Sequence, residues 1–413
     1  MRSSAEMPYH IGFKVKIYPS NEQKRLIAVN DGVNRSVYNH LVACNNEKYR
    51  LSKTVSFVPA YRDKLDSLSN MTGPVRNVKN ALPYLYGKDV DEQAIANAMK
   101  NYSTAWKNQR ERHTGVPAFK RKSYELSYQT NAHYRKTPDN VRFEDIRHVT
   151  LPKLGRIRIG ASPKILKALR ERTCDTRISS ICISRDSIGE YWASFSIASE
   201  EPFYETRPKT GKMHGIDLNL LELVNASDRS SSENRRYRRQ MKKKLSKSQR
   251  KQSRMYEHAK KDGRSLKTST NYQEQRRKTA YIHRKVERRR TDYLHVLSKR
   301  EVENQDFIAA EDLKVRNMMK NHNLAGAIAD AAWSKFLTML QYKSVLFGKT
   351  FILVPPSNTT QTCSNCGYIM KGDEHLTLKD RSWVCPQCKT LHERDTNAAI
   401  NILNRGLQIA HAV

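Results

Sequence analysis

Four cysteines near the end of the chain have the spacing of a metal site. Cys363 and Cys366 form one CxxC pair, eighteen residues follow, and Cys385 and Cys388 form a second pair. Each pair predicts a tight turn that directs two sulfur atoms at one tetrahedral ion. Because four thiolates close the coordination shell and leave no position for water, the spacing predicts a structural Zn²⁺ site and not a catalytic one.

Three acidic residues lie at the ends of predicted core elements. Asp217 lies near the end of a predicted buried strand at 213–218, and Glu311 ends a second predicted strand. Asp395 precedes a run of small residues and is predicted to cap a helix there. Taken singly, such a residue is more often a cap or a surface residue than a catalytic one. Residue type and position leave both interpretations open.

Composition favours a polyanionic partner. The 413 residues suffice for two to four domains, and 38% of them are hydrophobic, enough for buried cores. The chain has 75 Lys and Arg residues and 41 Asp and Glu residues. The resulting net charge of +34 is typical of a nucleic-acid-binding protein. A membrane surface is the competing interpretation, but no apolar run approaches the ~18 residues of a membrane-spanning helix.

The remaining cysteines and the first residues favour a cytoplasmic protein. The opening sequence MRSSAEMPYH lacks the apolar core of a signal peptide. Cys44, Cys174 and Cys182 form no disulfide pattern, which is typical of a reducing compartment. Cys174 and Cys182 are interpreted as core or incidental residues and not as metal ligands.

The first half of the chain predicts a β region with a helical insertion. Alternation over residues 13–18 predicts a strand, and Ser20 with Gln23 forms a capping box before a helix. Asp91 opens a second helix, whose aromatic stripe is interpreted as core. Several short alternating segments between 115 and 197 predict a small barrel. The opening strand has no sequential partner, so we expect it to join this barrel.

The second half alternates strands with helices and carries the most basic segment. Residues 233–300 contain 25 Lys and Arg against six Asp and Glu, a net charge of +19. A solvated helical face is one interpretation. An apolar stripe from Ile282 to Leu297 at helical spacing indicates that the segment also packs on a core, so a phosphate backbone accounts for the exposed basic face.

Several segments together resemble one family. GIDLNL, IAAEDLKVRNM, PPSNTTQTCSNCG, WVCPQC and HERDTNAAINIL are similar to the signature blocks of TnpB, the RNA-guided nucleases of insertion sequences, and of compact type V CRISPR effectors. KVKIYPSNEQ, SVYNHLVA, GVPAFKRK and LPKLG resemble family segments in the same order, so the resemblance covers nearly the whole chain.

The resemblance implies a multidomain α+β fold. A RuvC-like nuclease core of ribonuclease H type, with an inserted zinc ribbon, follows an oligonucleotide-binding-like β-barrel wedge domain that carries a helical recognition insertion. The implied boundaries are wedge 1–19 and 113–208, recognition domain 20–112, nuclease core 209–361 and 392–413, and zinc ribbon 362–391.

The resemblance also implies the chemistry. Asp217, Glu311 and Asp395 would be the metal-binding carboxylates, with two Mg²⁺ ions ~4 Å apart that hydrolyse a phosphodiester bond. The implied partners are a transposon-derived guide RNA and double-stranded target DNA beside a short adjacent motif. We expect a monomer in the prokaryotic cytosol or nucleoid; a dimer is expected if the chain is a compact CRISPR effector. The alternatives are that effector, a guided DNA-binding repressor without cleavage, and an RNA-binding zinc-ribbon protein.

Two individual residues, Asn219 and Arg381, are compared with the family pattern separately. The family usually has glycine two residues after the first aspartate, and this chain has Asn219 there, which puts the rate of cutting in question. Arg381 lies where relatives carry a basic residue near the cut phosphate, although a surface arginine is the competing interpretation. The other expected contacts to nucleic acid are Lys100, Lys107, Arg110, Lys120, Arg121 and Lys122, each of which is equally an ordinary surface charge.

Overall fold

The computed structural model describes residues 4–54, 59–133, 140–160, 176–377 and 379–411. It divides into two compact units, Met1–Phe203 and Tyr204–Val413. Cys174 lies outside the described residues. No helix in the described ranges combines the length and the apolar character that crossing a membrane requires.

A seven-stranded antiparallel sheet forms the centre of the first unit. Its strands lie in the order β2-β6-β7-β1-β5-β4-β3. They are β1 (Tyr9–Tyr18), β2 (Leu126–Asn131), β3 (Arg142–Phe143), β4 (His148–Leu151), β5 (Gly155–Gly160), β6 (Thr176–Arg185) and β7 (Tyr191–Ser199).

The opening strand joins this sheet, as the sequence predicts. Strand β1 pairs with β7 from Tyr9 opposite Ser199 to Ile17 opposite Tyr191, and it also pairs with β5. Alternation decides which side chains face the core: Ile157 and Ile159 are buried, whereas the arginines beside them are exposed. The helices between β1 and β2 are therefore an insertion in the order of the strands.

Four described helices form this insertion, and the first, third and fourth of them share a core of their own. They are α1 (Asn21–Thr54), α2 (Pro59–Met71), α3 (Val75–Ala81) and α4 (Glu92–Arg112). The predicted capping box opens α1, because Gln23 N donates to Ser20 Oγ at 3.2 Å and Ser20 N donates to Gln23 Oε1 at 2.9 Å. Asp91 caps α4, as predicted, and Tyr102 of its aromatic stripe packs against that core.

A five-stranded mixed sheet forms the centre of the second unit. Its order is β10-β9-β8-β11-β12, with β8, β11 and β12 parallel and the other pairs antiparallel. The strands are β8 (Met213–Asp217), β9 (Glu222–Ala226), β10 (Ser231–Glu233), β11 (Phe307–Glu311) and β12 (Thr350–Val354). The buried strands predicted from the sequence are therefore present.

Helices connect and cover these strands. They are α5 (Tyr237–Gln240), α6 (Lys242–Lys261), α7 (Thr270–Asn304), α8 (Val315–Met318), α9 (His322–Ala331), α10 (Trp333–Phe347) and α11 (Arg394–His411). Leu294 and Leu297 of α7 are buried in the core cluster that also holds Phe336 and Leu340 of α10. The prediction that the basic segment packs on a core through an apolar stripe is confirmed.

Helix α11 approaches strand β8 so closely that a glycine is required. A Cβ atom added at Gly215 would collide with the Ala399 carbonyl oxygen and lie 2.7 Å from the Leu403 backbone nitrogen. Both atoms belong to the backbone of α11, so a side-chain rotation cannot move them. The glycine therefore sets the distance between the strand that ends at Asp217 and the helix that begins beside Asp395.

We expect Gly215→Ala to lower the free energy of unfolding of the second unit by about 3 kcal/mol, because overpacking forces strand and helix apart. Urea unfolding of the full chain measures the change. Gly326→Ala in α9 is the matched control: an added Cβ there meets no atom within 4 Å, and alanine favours a helix by about 1 kcal/mol. Equal stability of the two variants would contradict the close-approach argument.

Candidate active site and metal centre

Two predicted site residues end neighbouring parallel strands. Asp217 is the last residue of β8 and Glu311 is the last residue of β11. The strands are in register, with Ala310 opposite Ile216, so the two carboxylates project from the same edge of the sheet. Both are buried, with 9% and 7% of their surfaces exposed.

Helix α11 brings the third acidic residue to this edge. It packs on β8, β9, β11 and β12, and Asp395 lies in its first turn. The sequence prediction that Asp395 caps the helix is wrong, because the helix already begins at Arg394. The carboxylate instead accepts hydrogen bonds from side chains, so it belongs to the acidic cluster and not to the helix end.

Asp217 lies in the electrostatic field of the other two carboxylates. Burial, and after it the charges of Glu311 and Asp395, raise the pKa of Asp217 to about 7, while Arg394 opposes the shift. Burial also raises the pKa of Glu311, against a hydrogen bond from the Thr359 hydroxyl. Carboxylate oxygens are the ligands that Mg²⁺ prefers. Among the described residues, however, the three carboxylates do not gather within 4.8 Å of one another as the cysteine sulfur atoms do.

Asn219 contributes to this cluster, although sequence reasoning treated it only as a departure from the family pattern. Its Nδ2 atom donates to Asp395 Oδ2 at 3.0 Å. Its Oδ1 atom accepts from the backbone nitrogens of Leu221 and Glu222, both at 2.9 Å, and so fixes the turn between β8 and β9. The amide therefore orients Asp395 from the strand that carries Asp217.

Two arginines lie on the other side of Asp395. Arg394 is 3.3 Å from Asp395 Oδ1, and it also donates to the Thr377 carbonyl at 2.9 Å. The more exposed Arg381 reaches Asp395 Oδ2 at 3.5 Å. The predicted basic residue Arg381 thus lies beside the acidic cluster, with more than half of its side chain exposed to solvent.

The four cysteines of the two CxxC pairs converge. Their sulfur atoms all lie within 4.8 Å of one another, the one group of three or more such ligands among the described residues. Cys363 Sγ is 3.6 Å from Cys388 Sγ, and Cys366 Sγ is 3.6 Å from Cys385 Sγ. A tetrahedral Zn²⁺ ion with bonds of about 2.3 Å needs sulfur atoms about 3.8 Å apart. The cluster therefore fits the predicted structural zinc site.

A histidine supports one of these sulfur atoms. His392 Nε2 lies 3.0 Å from Cys363 Sγ, and its ring packs on Trp383 with centroids 4.6 Å apart. Both residues belong to a short hairpin of β13 (Ser382–Val384) and β14 (Leu391–Glu393). Such a contact orients a ligand and tunes the metal without binding it.

Two buried asparagines of α11 join the cysteine cluster to the acidic cluster. Asn397 Oδ1 accepts from Ser364 N at 2.9 Å, and its Nδ2 donates to Thr362 O at 2.8 Å. Asn401 Nδ2 donates to the carbonyls of Thr362 and Thr359 at 2.6 and 2.9 Å. Sequence reasoning did not single out these residues; two asparagines four apart on an otherwise small, apolar helix were the available signal.

Comparison with known proteins agrees with this arrangement. Three family models match: "Helix-turn-helix domain" over residues 7–54, "Probable transposase" (OrfB of IS605) over 194–322 and "Cas12f1-like, TNB domain" over 333–402. A "Putative RNA-guided DNA endonuclease" of Streptomyces pristinaespiralis is 29% identical over 96% of this chain and 89% of its own length. The chain is therefore similar to the TnpB family. A second relative, InsQ of Escherichia coli K12, carries the same descriptive name and is 26% identical over 97% of this chain and 92% of its own length.

Among solved structures, the chain is similar to Cas12f1 in a complex with sgRNA and target DNA. The TM-score is 0.52 at 13% identity, and the match covers 96% of this chain and 99% of that one. At this identity the likeness concerns the fold. The name of the first family model does not describe the local structure, because residues 7–54 form one strand and one 34-residue helix.

The expected nucleic-acid contacts of the first unit lie on its surface. Lys100, Lys107 and Arg110 are exposed on α4, where Lys107 lies 3.8 Å from Glu111. Arg121 and Lys122 are exposed in the extended segment that follows α4. Lys120 Nζ lies 3.8 Å from the centre of the Tyr38 ring, and its backbone bonds with the Asn39 side chain, so this lysine anchors the segment on α1.

Proposed function

We propose that the protein is an RNA-guided DNA endonuclease that hydrolyses phosphodiester bonds at Asp217, Glu311 and Asp395. The observation that carries the proposal is the meeting of three carboxylates at one edge of the second sheet, where burial and mutual repulsion raise the pKa of Asp217. Proteins rarely keep such a cluster unless it binds a cation. The names of the relatives from Streptomyces pristinaespiralis and Escherichia coli support the same function.

The order of the strands supports a ribonuclease H-type, RuvC-like core. Three antiparallel strands followed by two parallel ones, with the first strand central and carrying the first acidic residue, is the arrangement expected of that core. We assign 209–361 and 392–413 to it and 362–391 to the zinc ribbon. In the first unit, we assign 1–19 and 113–208 to an oligonucleotide-binding-like wedge and 20–112 to the recognition insertion.

The residues of this chain have separable roles at the proposed centre. Asp217, Glu311 and Asp395 would hold Mg²⁺, which when bound supplies an activated water and stabilises the charge of the leaving oxygen. Thr359 fixes the orientation of Glu311, and Asn219 fixes that of Asp395. Arg381, exposed beside Asp395, is positioned to contact the phosphate of a strand that enters the site.

The charge of the chain supports the proposed partners. A guide RNA and a target duplex are both polyanions, and the net charge of +34 includes the +19 of residues 233–300. Base pairing by the guide supplies sequence specificity, so a protein of this kind needs many phosphate contacts and few base contacts. We infer that the four cysteines hold Zn²⁺ and that the protein acts as a monomer.

The proposed function is tested by expressing the chain with its flanking genomic DNA and sequencing the RNA that purifies with it. We expect a discrete RNA and cutting of a matching plasmid that requires Mg²⁺ and stops in EDTA. A discrete RNA without cutting would replace the nuclease with a guided DNA-binding repressor. Random RNA fragments without cutting would contradict guided recognition altogether.

A further inference from the structure

A basic cleft lies in the second unit, apart from the carboxylates. It occupies about 700 Å³ between the segment 234–249 and helix α9. This volume lies in the range of about 300–1,000 Å³ that is usual for small-molecule sites. The three carboxylates Asp217, Glu311 and Asp395 do not line the cleft. The proposed hydrolysis therefore does not explain why the cleft is present.

Three cations line the cleft and remain available to a ligand. Arg238, Arg239 and Lys242 are exposed, and within the described ranges their side chains form no ion pair. The one carboxylate of the lining, Asp330, is buried and already accepts hydrogen bonds from the backbone nitrogens of Arg238 and Arg239 at 2.9–3.1 Å. The cleft therefore attracts an anion, and guanidinium groups favour phosphate.

The wall that carries these cations is fixed before any ligand binds. Arg236 adopts a left-handed backbone conformation with φ of 46°, which is uncommon for a residue with a side chain. Its guanidinium donates to the Leu220 carbonyl at 2.9 Å, and Asn234 Nδ2 donates to the same oxygen at 3.1 Å. Strained backbone held by several contacts is typical of binding sites.

The remaining lining combines an apolar surface for the face of a base with polar side chains that can contact its edge, namely Asn234, Arg236, Ser246, Gln249 and Asn323. Leu220 and Leu245 lie on one side, and Gly326 and Ala327 of α9 lie on the other. A small anion such as free phosphate makes no contact with an apolar surface. A nucleotide, in contrast, has both a phosphate for the cations and a flat ring that can pack on the apolar residues. A paired base keeps its faces stacked and its edge occupied, so only an unpaired base can enter a cleft of this kind.

We propose that this cleft binds one unpaired nucleotide of a single-stranded nucleic acid, with its phosphate at Arg238, Arg239 and Lys242 and its base between Leu220 and α9. The proposal deepens the proposed function, because that function supplies both an RNA strand and displaced DNA. It also connects the cleft to the acidic cluster. Leu220 lies in the turn in which Asn219 donates to Asp395, so a nucleotide on Leu220 contacts the segment that orients this carboxylate.

Gly326→Phe tests the proposal without changing charge. An added Cβ at Gly326 meets no atom within 4 Å, so a phenylalanine can extend into the cleft. Without Mg²⁺, we expect it to weaken binding of the full chain to a fluorescent twelve-nucleotide single strand about tenfold, which is the scale of one lost stacked base. Binding to a duplex of the same length is expected to stay unchanged. Leu324→Phe is the matched control, because this exposed residue of α9 does not line the cleft, and it should bind like the wild type.

Arg238→Gln with Arg239→Gln tests the phosphate contact and does not depend on filling the cleft. The slope of log affinity against log salt concentration is expected to fall by about 1.4 for a single strand, whereas Gly326→Phe should leave the slope unchanged. Lys243→Gln with Lys244→Gln removes two exposed charges of α6 that do not line the cleft, and its effect on single strands should equal its effect on duplexes.

RNA and DNA versions of the strand identify which one occupies the cleft, and loss of affinity for either supports the proposal. Equal affinities of Gly326→Phe and Leu324→Phe for both would overturn it. Plasmid cutting in Mg²⁺ separates this result from the proposed function. A wild-type protein that never cuts, combined with weakened strand binding by Gly326→Phe, contradicts the nuclease and supports the cleft.

Discussion

Asp217→Asn is expected to reduce DNA cutting on the order of 1,000-fold or more while RNA binding stays unchanged. The substitution keeps the size of the side chain but removes the charge of the central carboxylate, and losses of this order follow the removal of one strong electrostatic contributor to a transition state. Cutting is measured in single-turnover reactions with the RNA that purifies with the protein, and RNA binding is measured separately by filter retention.

The same substitution is expected to raise the melting temperature in buffer that contains no Mg²⁺. Asp217 is buried beside Glu311 and Asp395, and repulsion among the three destabilises the folded protein when all are charged. A gain in stability together with a loss of activity distinguishes a functional carboxylate from a structural one, whose removal would lower both.

Asp312→Asn is the matched control for both measurements. Asp312 directly follows Glu311 but is exposed, and its backbone nitrogen, not its carboxylate, makes its bond to β12 through Val354 O at 2.8 Å. Its neutralisation should leave both the cutting rate and the melting temperature close to those of the wild type. Equal losses of cutting in the two variants would show that general charge, and not the buried cluster, governs activity.

The sequence predicts the elements of the acidic cluster better than their contacts. The strands that end at Asp217 and Glu311 follow from short apolar runs with turn residues after them, because a strand buried on both faces needs nothing else. The capping box of Ser20 and Gln23 is equally local, and its two hydrogen bonds are present. Patterns that act within a few residues can be recognised in one sequence.

Contacts between distant segments could not be predicted in this way. Asn219 and Asp395 are 176 residues apart, and no local pattern indicates that one amide will orient the other carboxylate. The prediction of a helix cap at Asp395 failed for a related reason. Any acidic residue before an apolar helical run satisfies the capping rule, whereas the start of α11 at Arg394 depends on contacts with the Thr377 carbonyl and Arg381.

The cysteine spacing predicted a metal site but not the hydrogen bonds that join this site to the acidic cluster. The convergence of four sulfur atoms follows from two CxxC turns, since only their separation must allow the turns to meet. The link to the acidic cluster runs through Asn397 and Asn401, which hold the backbone at Thr359 and Thr362. Thr359 in turn donates to Glu311. The two clusters therefore depend on each other in a way that spacing does not reveal.

Cys385→Ser is consequently expected to abolish cutting as well as zinc binding, although the cysteine cluster performs no chemistry. A structural Zn²⁺ site contributes an apparent ~10–16 kcal/mol to folding, as much as the whole stability of many domains, so residues 362–393 should lose their fold without it. Arg381 then leaves Asp395, and the hydrogen bonds of Asn397 and Asn401 to the preceding loop are lost. Elemental analysis measures the zinc, and the plasmid assay measures cutting.

The central sheet should survive this loss, which separates a local effect from general unfolding. Its core is formed by Ile216, Ile308, Phe336 and Leu340, all outside the ribbon, so hydrogen exchange in β8 and β11 should stay slow while exchange in 362–393 becomes fast. Cys182→Ser in the first unit is the matched control, because that sulfur contacts only the Ser127 hydroxyl at 3.3 Å among the described hydrogen bonds. It should keep one zinc per chain and full cutting. A Cys385→Ser protein that lost its zinc but still cut DNA would show that the acidic cluster holds its geometry without the ribbon, and would contradict the connection through Asn397 and Asn401.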